Sequence, residues 1–464
     1  MKRILNEDHK NLHSNDYSIL EKRNLLKNFL ISNNSKTLLA FLGQIEIGTP
    51  AQVIKSVLFD TGSFQCWVRS SECKLDVCKE EGMTSFNSAE SNTYKDSGQL
   101  SEPVVYVDQS KISGKLVSDS VGVGNLKIMD FPFIEATFLS DNTLDGLVGM
   151  GLRSKDYPLF MNNLSNLTSE VFSYWIDENN ENAELIIGGM NKNHLIGNLT
   201  WIYVNPYKKH WAAPINNSIN VKNENNEVAA IKLPSNYYAV FDTGTSVNYL
   251  SLHLAKELNS YFNATVYLNE SEKGGSVIYQ IKCDNLYNLP EVSLNFYTQI
   301  FGNDSKDITL TFKGSDYILS FGNLCISTFF GQDGIFKNGE NGILIGNALL
   351  KKFVTVFDYK NYRIGFGVSN RKKNKCYKSN FVFNKKDEVL FEFDNMGNES
   401  FYVNFVNCQE DELVGVFDLV VKSNLYFTPE NLSEDSQRKS AAIPRCSVST
   451  LMIVFFFFTF MFVC

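Results

Sequence analysis

Residues Leu58–Val68 read LFDTGSFQCWV, and Val240–Leu250 read VFDTGTSVNYL. Both contain Phe-Asp-Thr-Gly, and the two aspartates lie 182 positions apart. Each Asp ends a hydrophobic run, and a Gly follows two residues later. Gly permits a tight turn and lets its amide approach a carboxylate closely. A buried carboxylate needs such donors. One copy carries little weight, because an Asp at a strand end is usually a turn or cap residue. A second copy, half a chain away, changes the odds.

The echo extends beyond the tripeptide. About 85 to 105 residues after each copy comes an apolar run punctuated by Gly: LDGLVGMG (144–151) and GILIGNAL (342–349). Two motifs in the same order argue for a duplicated lobe, at a period far too long for a solenoid. Around them run short apolar or alternating segments separated by Gly, Asn, Asp and Ser. LAFLGQIEIG, KSVLFDTG, KLVSDSVGVG, AELIIGG, TWIYVNP and FVTVFDY all read as strands. Helical spacing is confined to 18–36, 158–168 and 251–262. The fold class expected is therefore all-β, with two pseudo-symmetric β-rich lobes around a central cleft and few short helices. Residues 1–37 hold a basic helix, 38–200 the first lobe and 201–370 the second. Residues 371–430 form a strand-like extension, 431–450 a polar linker and 451–464 a hydrophobic tail.

Composition narrows the function classes. The 464 residues are 44% hydrophobic and 20% charged, as in globular proteins. The net charge of -8 is mild and no basic patch stands out, so no nucleic-acid partner is expected. Five scattered His and nine Cys give no metal-ligand spacing, so neither metal nor cofactor is expected. A disulfide framework is the better reading of the Cys set, and it implies an oxidising compartment. The apolar run 451–464 is short for a membrane span. Small residues (Ser440, Ala441, Ala442) and the spacer IPRCSVST precede it, the layout of a GPI signal. The alternative is a short tail anchor starting at Cys446. Either way the expectation is a membrane-attached protein of the secretory pathway, at the cell surface or in an acidic organelle.

Lobes related by a pseudo-twofold bring equivalent loops together at the axis. Two carboxylates that close cannot both ionise, so the pair holds one proton. Such a pair offers a base and an acid at once. One carboxylate activates a water while the other protonates a carbonyl, and an amide is hydrolysed without a covalent intermediate. No Ser/His or Cys/His nucleophile set competes for the role.

GTPAQVIKSVLFDTGSFQCWV, AVFDTGTS, LDGLVGMG, and ILIGN with TVFDYKNYRIGFG together resemble the pepsin-like aspartic proteases. The resemblance covers about 38–370. It implies a monomeric aspartic endopeptidase that binds extended polypeptides in its cleft, with Asp60 and Asp242 catalytic. It implies that Thr61 and Thr243 cross-brace the two loops, with Gly62 and Gly244 in the motif turns. Ser63 and Thr245 would bond the outer carboxylate oxygens, which goes with acidic optima in the family. It implies disulfides Cys73–Cys78 and Cys283–Cys325; a Cys376–Cys408 bridge in the extension is an extrapolation. Cys66, beside the first motif, reads as a small core residue. The helix at 18–36 resembles the family's prosegment, a cationic plug drawn to an anionic cleft, with Lys36 a candidate to reach the dyad. High Asn content with a membrane-directed tail is similar to the plasmepsin group of apicomplexan parasites.

Two departures stand out. The family's flap has a Tyr seven residues before a Gly, but counting back from Gly114 gives Val107. Either the hairpin has one extra residue and Tyr106 serves, or the flap Tyr is absent. Asn347 stands where the family commonly has Asp, which removes a carboxylate near the cleft. The rival reading is a catalytically inactive pepsin-like surface binding protein; two intact Asp-Thr-Gly motifs favour the enzyme.

Overall fold

Alternation in LGQIEI places Gly43, Ile45 and Ile47 on one buried face of strand Leu42–Ile47. The next strand, Gln52–Asp60, begins half-exposed and becomes buried on both faces from Val57 to Asp60. That switch carries the first Asp-Thr-Gly from the rim into the middle of the molecule. The computed structural model describes residues 42–370 apart from 80–81, 108, 125, 141–143, 155–157, 165–168, 178–182, 298–306, 322 and 337–340. The expected basic helix with Lys36, the 371–430 extension with Cys376 and Cys408, the linker and the apolar tail lie outside the described residues. No described helix is long and apolar enough to cross a membrane.

The architecture is all-β and bilobal. An eight-stranded sheet spans Leu42 to Gly149 and a twelve-stranded sheet spans Ala212 to Ile345. In each, the strand that leads into an Asp-Thr-Gly runs parallel to a later strand. Gln52–Asp60 runs beside Gly146–Gly149, with Asp60 opposite Gly149. Tyr237–Phe241 runs beside Asn341–Ile345, with Phe241 opposite Ile345. These pairs are the two sequence echoes brought side by side in each lobe. A five-stranded sheet lies between the lobes, in the order Ala183–Ile187, Val171–Ile176, Phe353–Asp358, Arg363–Ser369, Leu195–Tyr203. It takes strands from both halves of the chain, and one continuous apolar core runs through all three sheets.

The aromatic content is used beneath the Asp-Thr-Gly loops. Phe172 stacks on Phe357 with centroids 4.7 Å apart, and Trp211 meets Tyr359 edge-on at 4.8 Å. Burying each such ring stabilises the fold by about 1.5–3 kcal/mol. Of the two helices expected between 42 and 370, one forms: Leu252–Ser260, with the Ser251 hydroxyl accepting from Leu254 N. Residues 158–164 hold only the 3-10 turn Met161–Asn163. There the Asn163 amide donates to the Leu159 carbonyl at 2.8 Å, a local side-chain bond that competes with helix propagation.

Disulfides join Cys73 to Cys78 and Cys283 to Cys325. Cys66 is unpaired and 9% exposed within the first lobe's core, and burial pushes its thiol up to about 12.

Candidate active site

The strands Gln52–Asp60 and Tyr237–Phe241 end at the same place. Asp60 and Asp242, each 6% exposed, meet there, each carboxyl lying against the glycine of the opposite loop. The surrounding bonds repeat across a pseudo-twofold. Gly62 N donates to Asp60 Oδ1 at 2.7 Å, and Gly244 N to Asp242 Oδ1 at 2.8 Å. The Ser63 hydroxyl donates to Asp60 Oδ2, and Thr245 Oγ1 to Asp242 Oδ2 at 2.7 Å. Thr61 Oγ1 donates to the Phe241 carbonyl at 2.8 Å and accepts from Thr243 N at 2.9 Å. Thr243 Oγ1 donates to the Phe59 carbonyl at 2.8 Å and accepts from Thr61 N at 3.1 Å. Four reciprocal bonds therefore lock one loop to the other through fully desolvated threonines.

The glycines are needed for more than the turn. A Cβ on Gly62 would lie 2.6 Å from the Asp242 carboxyl carbon, and one on Gly244 would strike the Asp60 carboxyl. Each Gly thus clears the space that the opposite lobe's Asp occupies. Burial, followed by the neighbouring Asp242 charge, raises Asp60 well above the ordinary carboxylate range. The arrangement is a desolvated carboxyl pair, each member hydrogen-bonded by the glycine amide and the hydroxyl of its own loop.

A model of the eukaryotic aspartyl protease family matches residues 40–369. The chain belongs to that family. Among relatives, vacuolar protease A of Aspergillus fumigatus is 31% identical over 339 residues, covering 70% of this chain and 78% of that protein. Pregnancy-associated glycoprotein 2 of Bos taurus is 29% identical, covering 75% and 91%. Cathepsin D of Gallus gallus is 28% identical, covering 74% and 82%. The chain is an aspartic endopeptidase.

Over the aspartyl protease's cleft lies the hairpin made by Val104–Val105 and the start of Lys111–Val123. Tyr106 N donates to the Ser110 carbonyl at 3.0 Å and closes the tip. Val104 and Val105 pair in regular register with Ile112 and Lys111, and the shift between Ser113 and Gly114 leaves out Thr137 on the partner strand Leu126–Leu139. The Tyr106 hydroxyl accepts from Trp67 Nε1 at 2.9 Å, which turns the ring toward the first lobe. Val107 takes the other direction and packs against the second lobe's apolar cluster of Ala212, Val240 and Leu344, joined by Tyr249 and Phe336. Its carbonyl accepts from Gln332 Nε2 at 3.0 Å, and Gln332 Oε1 is held by the Ser276 hydroxyl at 2.7 Å.

Asn347 is not a cleft residue. It is fully buried behind the second loop, where Nδ2 donates to the Thr243 carbonyl at 2.7 Å. An ionised carboxylate at that position would face a carbonyl oxygen; the amide presents a donor. Sequence reading missed this brace, as it missed Gln332. Both are ordinary polar residues until the fold sets them beside the loop and the flap.

Proposed function

We propose that Asp60 and Asp242 hydrolyse peptide bonds by activating a water held between them. The pair shares one proton. The ionised member draws a proton from the water, the protonated member donates to the scissile carbonyl, and the gem-diol so formed collapses with proton return to the leaving amine. Neither carboxylate bonds covalently to the substrate. The observation that carries this reading is the reciprocally braced pair with a raised Asp60. Thr61, Thr243 and the two glycines keep the carboxyls close, while Ser63 and Thr245 hold their outer oxygens. Tyr106 serves as the flap tyrosine.

The substrate is an extended polypeptide between flap and dyad, with apolar side chains preferred against Tyr249, Phe336 and Leu344. Keeping a proton in the pair favours acidic pH, in keeping with an acidic compartment of the secretory route. The relatives named for the vacuole and as a cathepsin support that placement. The tail 451–464 attaches the protein to a membrane, and release by a phosphatidylinositol-specific phospholipase distinguishes a lipid anchor from an inserted one.

The test is cleavage of a peptide library between pH 4 and 7, with and without pepstatin. Pepstatin-sensitive cleavage that disappears in Asp60→Asn is expected. Cleavage that survives the substitution rejects the two-Asp mechanism, and no cleavage by the mature protein at any pH favours an inactive binding protein.

A further inference from the structure

The pseudo-twofold around the dyad is broken at the peptide group that precedes Asp60. Tyr174, 4% exposed, stands on the interlobe strand Val171–Ile176, and its hydroxyl donates to the Phe59 carbonyl at 2.9 Å. This is the carbonyl that also accepts from Thr243 Oγ1 at 2.8 Å. Phe59 directly precedes Asp60, so two hydroxyls grip the peptide group that carries this carboxylate. Across the axis, among the described residues, the Phe241 carbonyl receives one side-chain hydroxyl, that of Thr61 at 2.8 Å. On the neighbouring strand Phe353–Asp358 the residue opposite Tyr174 is Thr355. Its hydroxyl is buried and makes no hydrogen bond among the described residues.

We propose that Tyr174 is a positioning residue for Asp60, acting through a second hydroxyl bond to the Phe59 carbonyl, where the Phe241 carbonyl receives one. Packing alone does not call for the hydroxyl. The ring meets Phe172 at 5.8 Å and Phe357 at 6.2 Å, both edge-on, and a Phe would fill the same space. Burying a phenol costs free energy unless its hydroxyl is bonded. Here burial, and then the nearness of Asp60 and Asp242, pushes the phenol up against the relief given by Thr243. Tyr174 is thus a permanent donor beside the pair. It ties the floor shared by both lobes to one catalytic carboxylate and makes the environments of the two carboxylates unequal. A carboxyl held within a few tenths of an ångström is set for the transition state, and its release lowers turnover before it lowers binding.

The proposal rests on Asp60 and Asp242 being the catalytic pair, and the experiment separates the two claims. Parent, Tyr174→Phe, Thr355→Val and Asp60→Asn are assayed on one peptide substrate, normalised to folded protein by circular dichroism. For Tyr174→Phe the expected result is a fall in kcat of about 3- to 10-fold with KM unchanged. Pepstatin, whose hydroxyl occupies the tetrahedral position, weakens by a similar factor. Thr355→Val keeps the parental kcat. Replacing Tyr174 with p-aminophenylalanine, which retains a donor, recovers most of the loss. A parental kcat in Tyr174→Phe overturns the proposal, even if the variant melts earlier, because the hydroxyl is then only structural. A rise in KM with kcat unchanged overturns it as well. A parent that does not cleave, or an active Asp60→Asn, rejects the catalytic pair itself.

Discussion

Loop 60–63 and loop 242–245 hold their carboxylates with the same bonds from the same positions. The flap has no such twin. It leans on the first lobe through Tyr106 and Trp67 and on the second through Val107 and Gln332. A duplicated element is held by its own copy, so both copies must keep the residues that grip each other. A single-copy element takes its partners from wherever the fold places them. The first arrangement is rigid and intolerant; the second is adjustable. That contrast sets the order of the expected mutational effects.

The largest effect belongs to the pair. Asp60→Asn or Asp242→Asn leaves a folded protein whose kcat/KM falls by at least about 10^3-fold, at the upper range of general acid–base losses. Equal losses from the two sites would reveal a symmetric pair, and unequal losses the imprint of Tyr174. Next come the glycines. Gly62→Ala and Gly244→Ala each drive a methyl into the opposite carboxyl, with about 1–3 kcal/mol of lost stability in denaturant titrations and near-complete loss of activity. Full activity in either would show that the loops can separate, against the interlocked geometry.

Thr61→Val and Thr243→Val each leave a buried amide of the other loop without its acceptor. Each should cost about 1–3 kcal/mol, and the double variant less than the sum because the bonds are reciprocal. Additive costs would mean the two threonines act separately.

Asp60 also imposes a pH signature on stability. Its folded pKa is raised, so the native state binds this proton more tightly than the unfolded chain does. The stabilisation is complete below the unfolded carboxylate pKa and is lost as pH rises through the folded value. Asp60→Asn should therefore raise Tm more at pH 7 than at pH 4 in thermal melts. An equal change at both would place the shift elsewhere.

The smallest effect is expected at the flap. Gln332→Leu removes one hydrogen bond that holds the flap down, so KM should fall about 2- to 5-fold with kcat unchanged. A higher KM would mean that Gln332 serves the substrate and not the closed flap.

What was readable in advance follows the same division. The loops were legible because each appears twice, and the repeated Asp-Thr-Gly with its later apolar run stated the pairing before any coordinate did. The strands followed from alternation and Gly spacing. The flap was ambiguous because Tyr106 and Val107 are neighbours, and what separates them are contacts to Trp67 and Gln332, distant in the chain. The expected helix at 158–168 gave way to a 3-10 turn over its described part, where Asn163 bonds its own backbone. Tyr174 and Gln332 were illegible, since their partners lie 115 and 225 residues away. Asn347 was seen as a missing charge, whereas its buried amide is a donor.

The sheet between the lobes has a consequence for how the protein is made. Strand Val171–Ile176 pairs with Phe353–Asp358, and Leu195–Tyr203 with Arg363–Ser369. During synthesis these partners emerge from the ribosome almost two hundred residues late. Until then the sheet between the lobes lacks two of its five strands, and the first lobe stands on half a floor. A chain stopped anywhere before its last interlobe strand lacks a finished catalytic platform, so the cell is shielded from fragments of this protease by the order in which its strands are translated.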